Sequence, residues 1–176
     1  RIDFLTPNET RQLLQDHQEP MWDLMVLMAL RTGMRYGELA GLRWQDVDLD
    51  RRVISIRKSL VRGILGTPKN GQERHLRIAQ ELLESLSRSR SKNGYVFQFT
   101  DGRSPTYPQA RNALNQICKR TGVRRFSWHV LRHTFASLLA IEGVTIPIIQ
   151  NLLGHASIVM PMKYAHLSPS ALSDAV

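Results

Sequence analysis

The stretch Ser127-Trp128-His129-Val130-Leu131-Arg132-His133-Thr134-Phe135 decides how the rest of this chain is read. Ser127 is a residue type that caps helix N-termini, and Leu131, Phe135, Leu138 and Leu139 recur at helical spacing. A helix is therefore predicted from Ser127 to residue 141, with those four side chains as its core stripe. His129 and Arg132 stand three residues apart in its first turns, off that stripe. Unpaired backbone N–H groups at a helix start favour an anion, so the pair reads as a seat for a phosphate, although taken alone it is equally an ordinary polar helix start. A zinc reading of His129 and His133 lacks the Glu of His-Glu-x-x-His, because Val130 stands in its place; no metal is expected.

Working outward, Thr145 caps a helix through residue 153 that Gly154 stops. Upstream, Ala110, Ala113, Leu114, Ile117 and Cys118 mark an amphipathic helix ending at Gly122, residues 87–94 form a polar, basic loop, and residues 79–86 are helical. Residues 53–58, 60–67 and 73–78 are predicted strands, with Asn70-Gly71 as the hairpin turn between the last two. Before them, residues 35–42 read as a short helix with Leu39 and Leu42 facing the core, just beyond a left-handed stop at Gly33. The preceding helix, around Met21, Leu24, Met25 and Met28, is apolar on its other faces too and should be buried nearly all round. Thr6-Pro7-Asn8-Glu9 is a capping box that opens a first helix carrying Leu13 and Leu14 inward. The predicted fold class is α+β, mainly helical, with a small antiparallel β-sheet.

A chain of 176 residues suits one domain with a core of its own, without disulfides, metals or obligatory partners. Lys and Arg number 24 against 15 Asp and Glu, and the formal charge of +9 favours a polyanion such as nucleic acid or a membrane surface. No leader pattern opens the sequence, and the longest apolar run, residues 24–30, is too short to span a bilayer, so neither secretion nor membrane insertion is expected. The single Cys118 lies on an apolar stripe, which excludes an internal disulfide framework and predicts a buried, inert thiol suited to a reducing cytoplasm. Arg1 in place of Met leads us to expect a piece of a longer polypeptide.

Taken in order, Thr32-Gly-Met-Arg35-Tyr-Gly-Glu38-Leu, Lys69, His129-Val-Leu-Arg132-His-Thr, Leu153-Gly-His155 and Tyr164-Ala-His-Leu resemble the tyrosine recombinase, or phage integrase, family over about residues 4–168. The resemblance implies a catalytic domain over residues 1–176 that cleaves DNA through a 3′-phosphotyrosine on Tyr164. It also implies a DNA-binding domain on the N-terminal side of the parent protein, a bacterial or phage setting, double-stranded DNA as partner, and a homotetramer on paired sites. No cofactor is implied, since bond energy is conserved in the phosphotyrosine.

Arg35 and Arg132 match the family's clamp on the scissile phosphate, a task that suits a permanently charged, forked guanidinium. A free tyrosine, with a pKa of ~10, needs either proton removal by His129 or stabilisation by the arginines, and the sequence leaves that choice open. Lys69, beside the predicted Asn70-Gly71 turn, resembles the general acid that protonates the leaving 5′-oxygen; Lys58 competes for this role. His155 matches a family position that supports the phosphate, and Glu38, one helical turn after Arg35, is placed to orient its guanidinium. Pro161 departs from the family, which continues a short helix before the tyrosine, so that segment is expected to be irregular. Two rivals remain: a type IB topoisomerase, distinguished by the absence of strand exchange, and a DNA-binding module that keeps the fold without cleaving.

Overall fold

The computed structural model describes residues 3–68, 71 and 73–154; Lys69, Asn70, His155, Pro161 and Tyr164 lie outside the described residues. Helix α1 (Pro7–Leu13) opens on the predicted capping box: Thr6 Oγ1 accepts the Glu9 N–H at 3.2 Å and Glu9 Oε2 accepts the Thr6 N–H at 2.8 Å. Helix α2 (Pro20–Thr32) is the centre of the molecule, with an unbroken buried run from Leu24 to Leu30. Gly33 ends it at φ 63°, where a Cβ would also collide with the Phe135 ring. Helix α3 (Tyr36–Gly41) follows at once and packs on the sheet-forming segment. A Cβ on Gly37 would stand 2.6 Å from Ser59 Oγ, so the missing side chain permits that approach.

Strands β1 (Val47–Asp48), β2 (Val53–Ile56), β3 (Ser59–Val61), β4 (Ile64–Gly66) and β5 (Arg74–Arg77) depart from the predicted pairing. The segment expected as one strand over 60–67 is broken by Arg62 and Gly63, at φ 52° and 78°. Two adjacent left-handed residues make a tight hairpin turn, so β3 and β4 close on each other, with Leu60 opposite Leu65. Strand β5 pairs instead with β2, placing Ile54 opposite Leu76, and β1 completes a three-stranded antiparallel sheet in the order β1-β2-β5. Strands β4 and β5 therefore do not pair with each other, contrary to the predicted hairpin between them. Gly71 lies in the connection from β4 to β5, where its N–H donates to Pro68 O at 2.7 Å.

Helices α4 (Gln80–Arg88), α5 (Tyr107–Thr121), α6 (Trp128–Ile141) and α7 (Ile146–Leu153) complete the fold, which is mainly helical with a small antiparallel sheet as expected. Cys118 is buried in the main core, and burial pushes its thiol pKa up. The stripe predicted on α6 is corrected. Of its four residues only Leu131 is fully buried; the inward face carries Val130, Thr134, Ala136, Ser137 and Ala140, while Phe135 and Leu139 lie half-buried over α7. Small residues let α6 lie close against its neighbours, and Thr134 is satisfied there, accepting the Leu5 N–H at 2.9 Å and donating to Val130 O at 2.8 Å. Ser127 and Thr145 occupy the predicted N-cap positions with extended backbones, yet neither side chain makes a capping hydrogen bond. Among the described residues no helix is long and apolar enough to cross a membrane.

Candidate active site

Arg35 sits two residues past the α2 stop, with the extended backbone of an N-cap residue for α3. Glu38, one turn on, reaches back to it: the Arg35 N–H donates to Glu38 Oε2 at 2.8 Å and Arg35 Nη1 to Glu38 Oε1 at 3.2 Å. This is the orienting contact expected from their spacing. Arg35 Nε and Nη2 have no partner among the described residues, and the side chain is 22% exposed.

Glu38 itself is 1% exposed and holds a second arginine more tightly than the first. Arg74, on β5, donates from Nη1 to Glu38 Oε1 at 2.9 Å and from Nη2 to Glu38 Oε2 at 2.7 Å, while its Nε donates to Leu152 O at 3.1 Å. Burial alone pushes the Glu38 carboxyl up. The hydrogen bonds and charge of Arg74, the Arg35 N–H and the charge of Arg132 outweigh this and hold it below the usual carboxylate range.

Arg132 was expected off the core stripe. It is 2% exposed, and its guanidinium donates from Nη1 to Gly33 O at 2.6 Å and from Nη2 to Leu153 O at 2.7 Å. These carbonyls end α2 and α7, where helix dipoles present partial negative charge, which is why an arginine is tolerated at such depth. Arg35, Arg74 and Arg132 thus converge on the two ends of one short segment, Gly33 to Glu38. His129 stands exposed on the first turn of α6, its ring edge-on to His133 with centroids 4.5 Å apart.

The structure thus brings Arg35 and Arg132 around one carboxylate and sets His129 one turn before Arg132; Lys69, His155 and Tyr164 lie outside the described residues. Lys58 is exposed in the connection between β2 and β3. Gly154, where α7 stops at φ 62°, leads directly to His155. Among the described residues no group of three potential metal ligands forms. Sequence reasoning missed Arg74. The signal was present in the period-two pattern of β5, which puts Arg74 on the same buried face as Leu76, a place where an arginine needs a partner. Permanently charged guanidinium groups, with an exposed imidazole on the turn before Arg132, are residue types suited to holding an oxyanion while a proton moves.

Comparison with known proteins identifies the family. The family model described as "Phage integrase family" matches residues 3–171. The integrase of Salmonella phage P22 is 32% identical over 190 residues, covering 99% of this chain and 46% of that protein. The chain thus spans about half the length of this curated relative. The catalytic domain of bacteriophage HP1 integrase superposes with a TM-score of 0.75 at 26% identity, covering 99% of this chain and 94% of that one. The Tn1549 transposon integrase, solved in complex with transposon right end DNA, superposes at 0.84 and covers 98% of this chain and 64% of its own; at 22% identity it speaks for the fold.

Proposed function

This chain belongs to the phage integrase family, and from that premise we propose that it is the catalytic domain of a site-specific recombinase that cuts and rejoins double-stranded DNA. The observation that carries the reading is the enclosure of Glu38 by Arg35 and Arg74 with Arg132 in electrostatic reach, which draws two of the motif arginines to one place.

In this reading the Tyr164 hydroxyl oxygen attacks the scissile phosphorus, forming a phosphotyrosine at the 3′ side as the bond to the 5′-oxygen breaks. The tyrosine proton leaves through His129, and Lys69 delivers a proton to the departing 5′-oxygen. Arg35 and Arg132 neutralise the nonbridging oxygens, whose charge grows in the transition state, and His155 supports the same phosphate. In the second half a 5′-hydroxyl attacks the phosphotyrosine and releases Tyr164, so no ATP, metal or other cofactor enters.

The +9 charge serves DNA binding. In the whole protein, a DNA-binding domain on the N-terminal side completes the grip and four protomers assemble on paired sites. The protein acts in the bacterial cytoplasm, where its DNA lies. The test is covalent trapping: the full-length protein is mixed with nicked suicide DNA from its attachment junctions, with Tyr164→Phe as control. A denaturant-resistant adduct mapping to Tyr164 and absent from the control is expected; tight binding at a verified cognate site with no adduct would overturn the proposal in favour of a non-cleaving module.

A further inference from the structure

We propose that Arg74 is a positioning residue for the cleavage reaction, keeping Arg35 available to the phosphate by occupying the carboxylate that would otherwise neutralise it. This rests on the DNA-cleaving reading above. Glu38 is one turn from Arg35 and hydrogen-bonded to it twice, which makes it the nearest competitor of any anion that Arg35 binds. A carboxylate and a guanidinium left to themselves form two parallel hydrogen bonds. Here the bidentate partner is Arg74, at 2.9 and 2.7 Å, while Arg35 holds only Oε1 from its side chain, at 3.2 Å. Sharing thus fixes the orientation of Arg35 without using up its charge.

Arg74 is itself held from several sides. It is 9% exposed, its Nε is anchored on Leu152 O, and a Cβ on Gly154 would lie 3.0 Å from its Cδ and Nη1. Removing Arg74 leaves Arg35, one turn away and already hydrogen-bonded to Glu38, to close on the carboxylate, while Arg132 stays anchored on the Gly33 and Leu153 carbonyls. Arg74 touches neither DNA nor the reacting atoms in this scheme; its effect travels through Glu38.

The experiment measures the single-turnover rate of adduct formation by the full-length protein on two suicide duplexes, one with an ordinary scissile phosphodiester and one with a neutral methylphosphonate there. DNA affinity and thermal unfolding are followed alongside. Neutralising the phosphorus centre removes the need for a charged Arg35. Arg74→Met is expected to slow cleavage of the phosphodiester by on the order of 10²-fold, with little change in DNA affinity, and to react with the methylphosphonate at nearly the unsubstituted rate. Adding Glu38→Gln to Arg74→Met should recover part of the phosphodiester rate, because the amide does not neutralise Arg35. Arg74→Lys keeps the buried charge balanced and covers the case in which Arg74→Met does not fold; its smaller loss should again be confined to the phosphodiester. Equal losses on the two duplexes for Arg74→Met and Arg74→Lys, with the unsubstituted protein forming its adduct normally, overturn the inference alone. An unsubstituted protein that binds its cognate site and forms no adduct overturns the cleavage reading and the inference with it.

Discussion

Glu38 is a fully buried carboxylate whose neighbours are cations, and its behaviour with pH follows from that. Its folded pKa lies below the ordinary value of 4.5, so its stabilising contribution is complete above that value and is lost as pH falls through the folded pKa. Glu38→Gln is therefore expected to destabilise the protein by about 3–5 kcal/mol near neutral pH. The gap to the unsubstituted protein should close as the pH is taken below 4.5, which urea midpoints measured across the acid range would show. Arg132→Lys should also lose stability, by ~1–3 kcal/mol, because one ammonium does not span the Gly33 and Leu153 carbonyls that the guanidinium bridges; thermal unfolding checks it. The contact between Arg35 and Glu38 was legible because a spacing of three residues puts both within one helical turn. The burial of Arg132 and the role of Arg74 were not, since both depend on carbonyls and a carboxylate supplied by distant parts of the chain.

Among the elements, the helices were read with small errors at their ends, because caps such as Thr6 with Glu9 and stops such as Gly33 and Gly122 are local signals. The sheet was not. Whether residues 60–67 run straight or fold back depends on two residues accepting left-handed angles, and Arg62 gives no sign of it in the sequence. The hairpin and the end of α7 also predict a contrast between two glycines. Gly63 has positive φ, and a Cβ there would meet nothing within 4 Å, so Gly63→Ala should cost only the left-handed backbone penalty, about 1–2 kcal/mol. Gly154→Ala meets a similar backbone penalty and also crowds Arg74, so its loss should be distinctly larger. Chemical denaturation of the two variants side by side decides it, and equal losses would mean that Arg74 gives way freely.

For the molecule as a whole, charge was the most legible property and carries its own prediction. Neutralising phosphates with Lys and Arg releases counterions, so DNA affinity should fall steeply with salt, with a log-log slope of about −0.9 for each phosphate contacted. A titration between low and moderate salt measures it, and an affinity insensitive to salt would remove the basic surface from the binding account. The arginine cluster has a further consequence, for synthesis on the ribosome. Arg132 bonds Gly33 across 99 residues, and Arg74 bonds Glu38 across 36 and Leu152 across 78. The bonds of Arg74 to Leu152 O and of Arg132 to Leu153 O tie both arginines to the last described helix, so a nascent chain that has not yet emitted α7 lacks these two anchors. The arginine cluster is therefore completed only once nearly all of the described chain has left the ribosome.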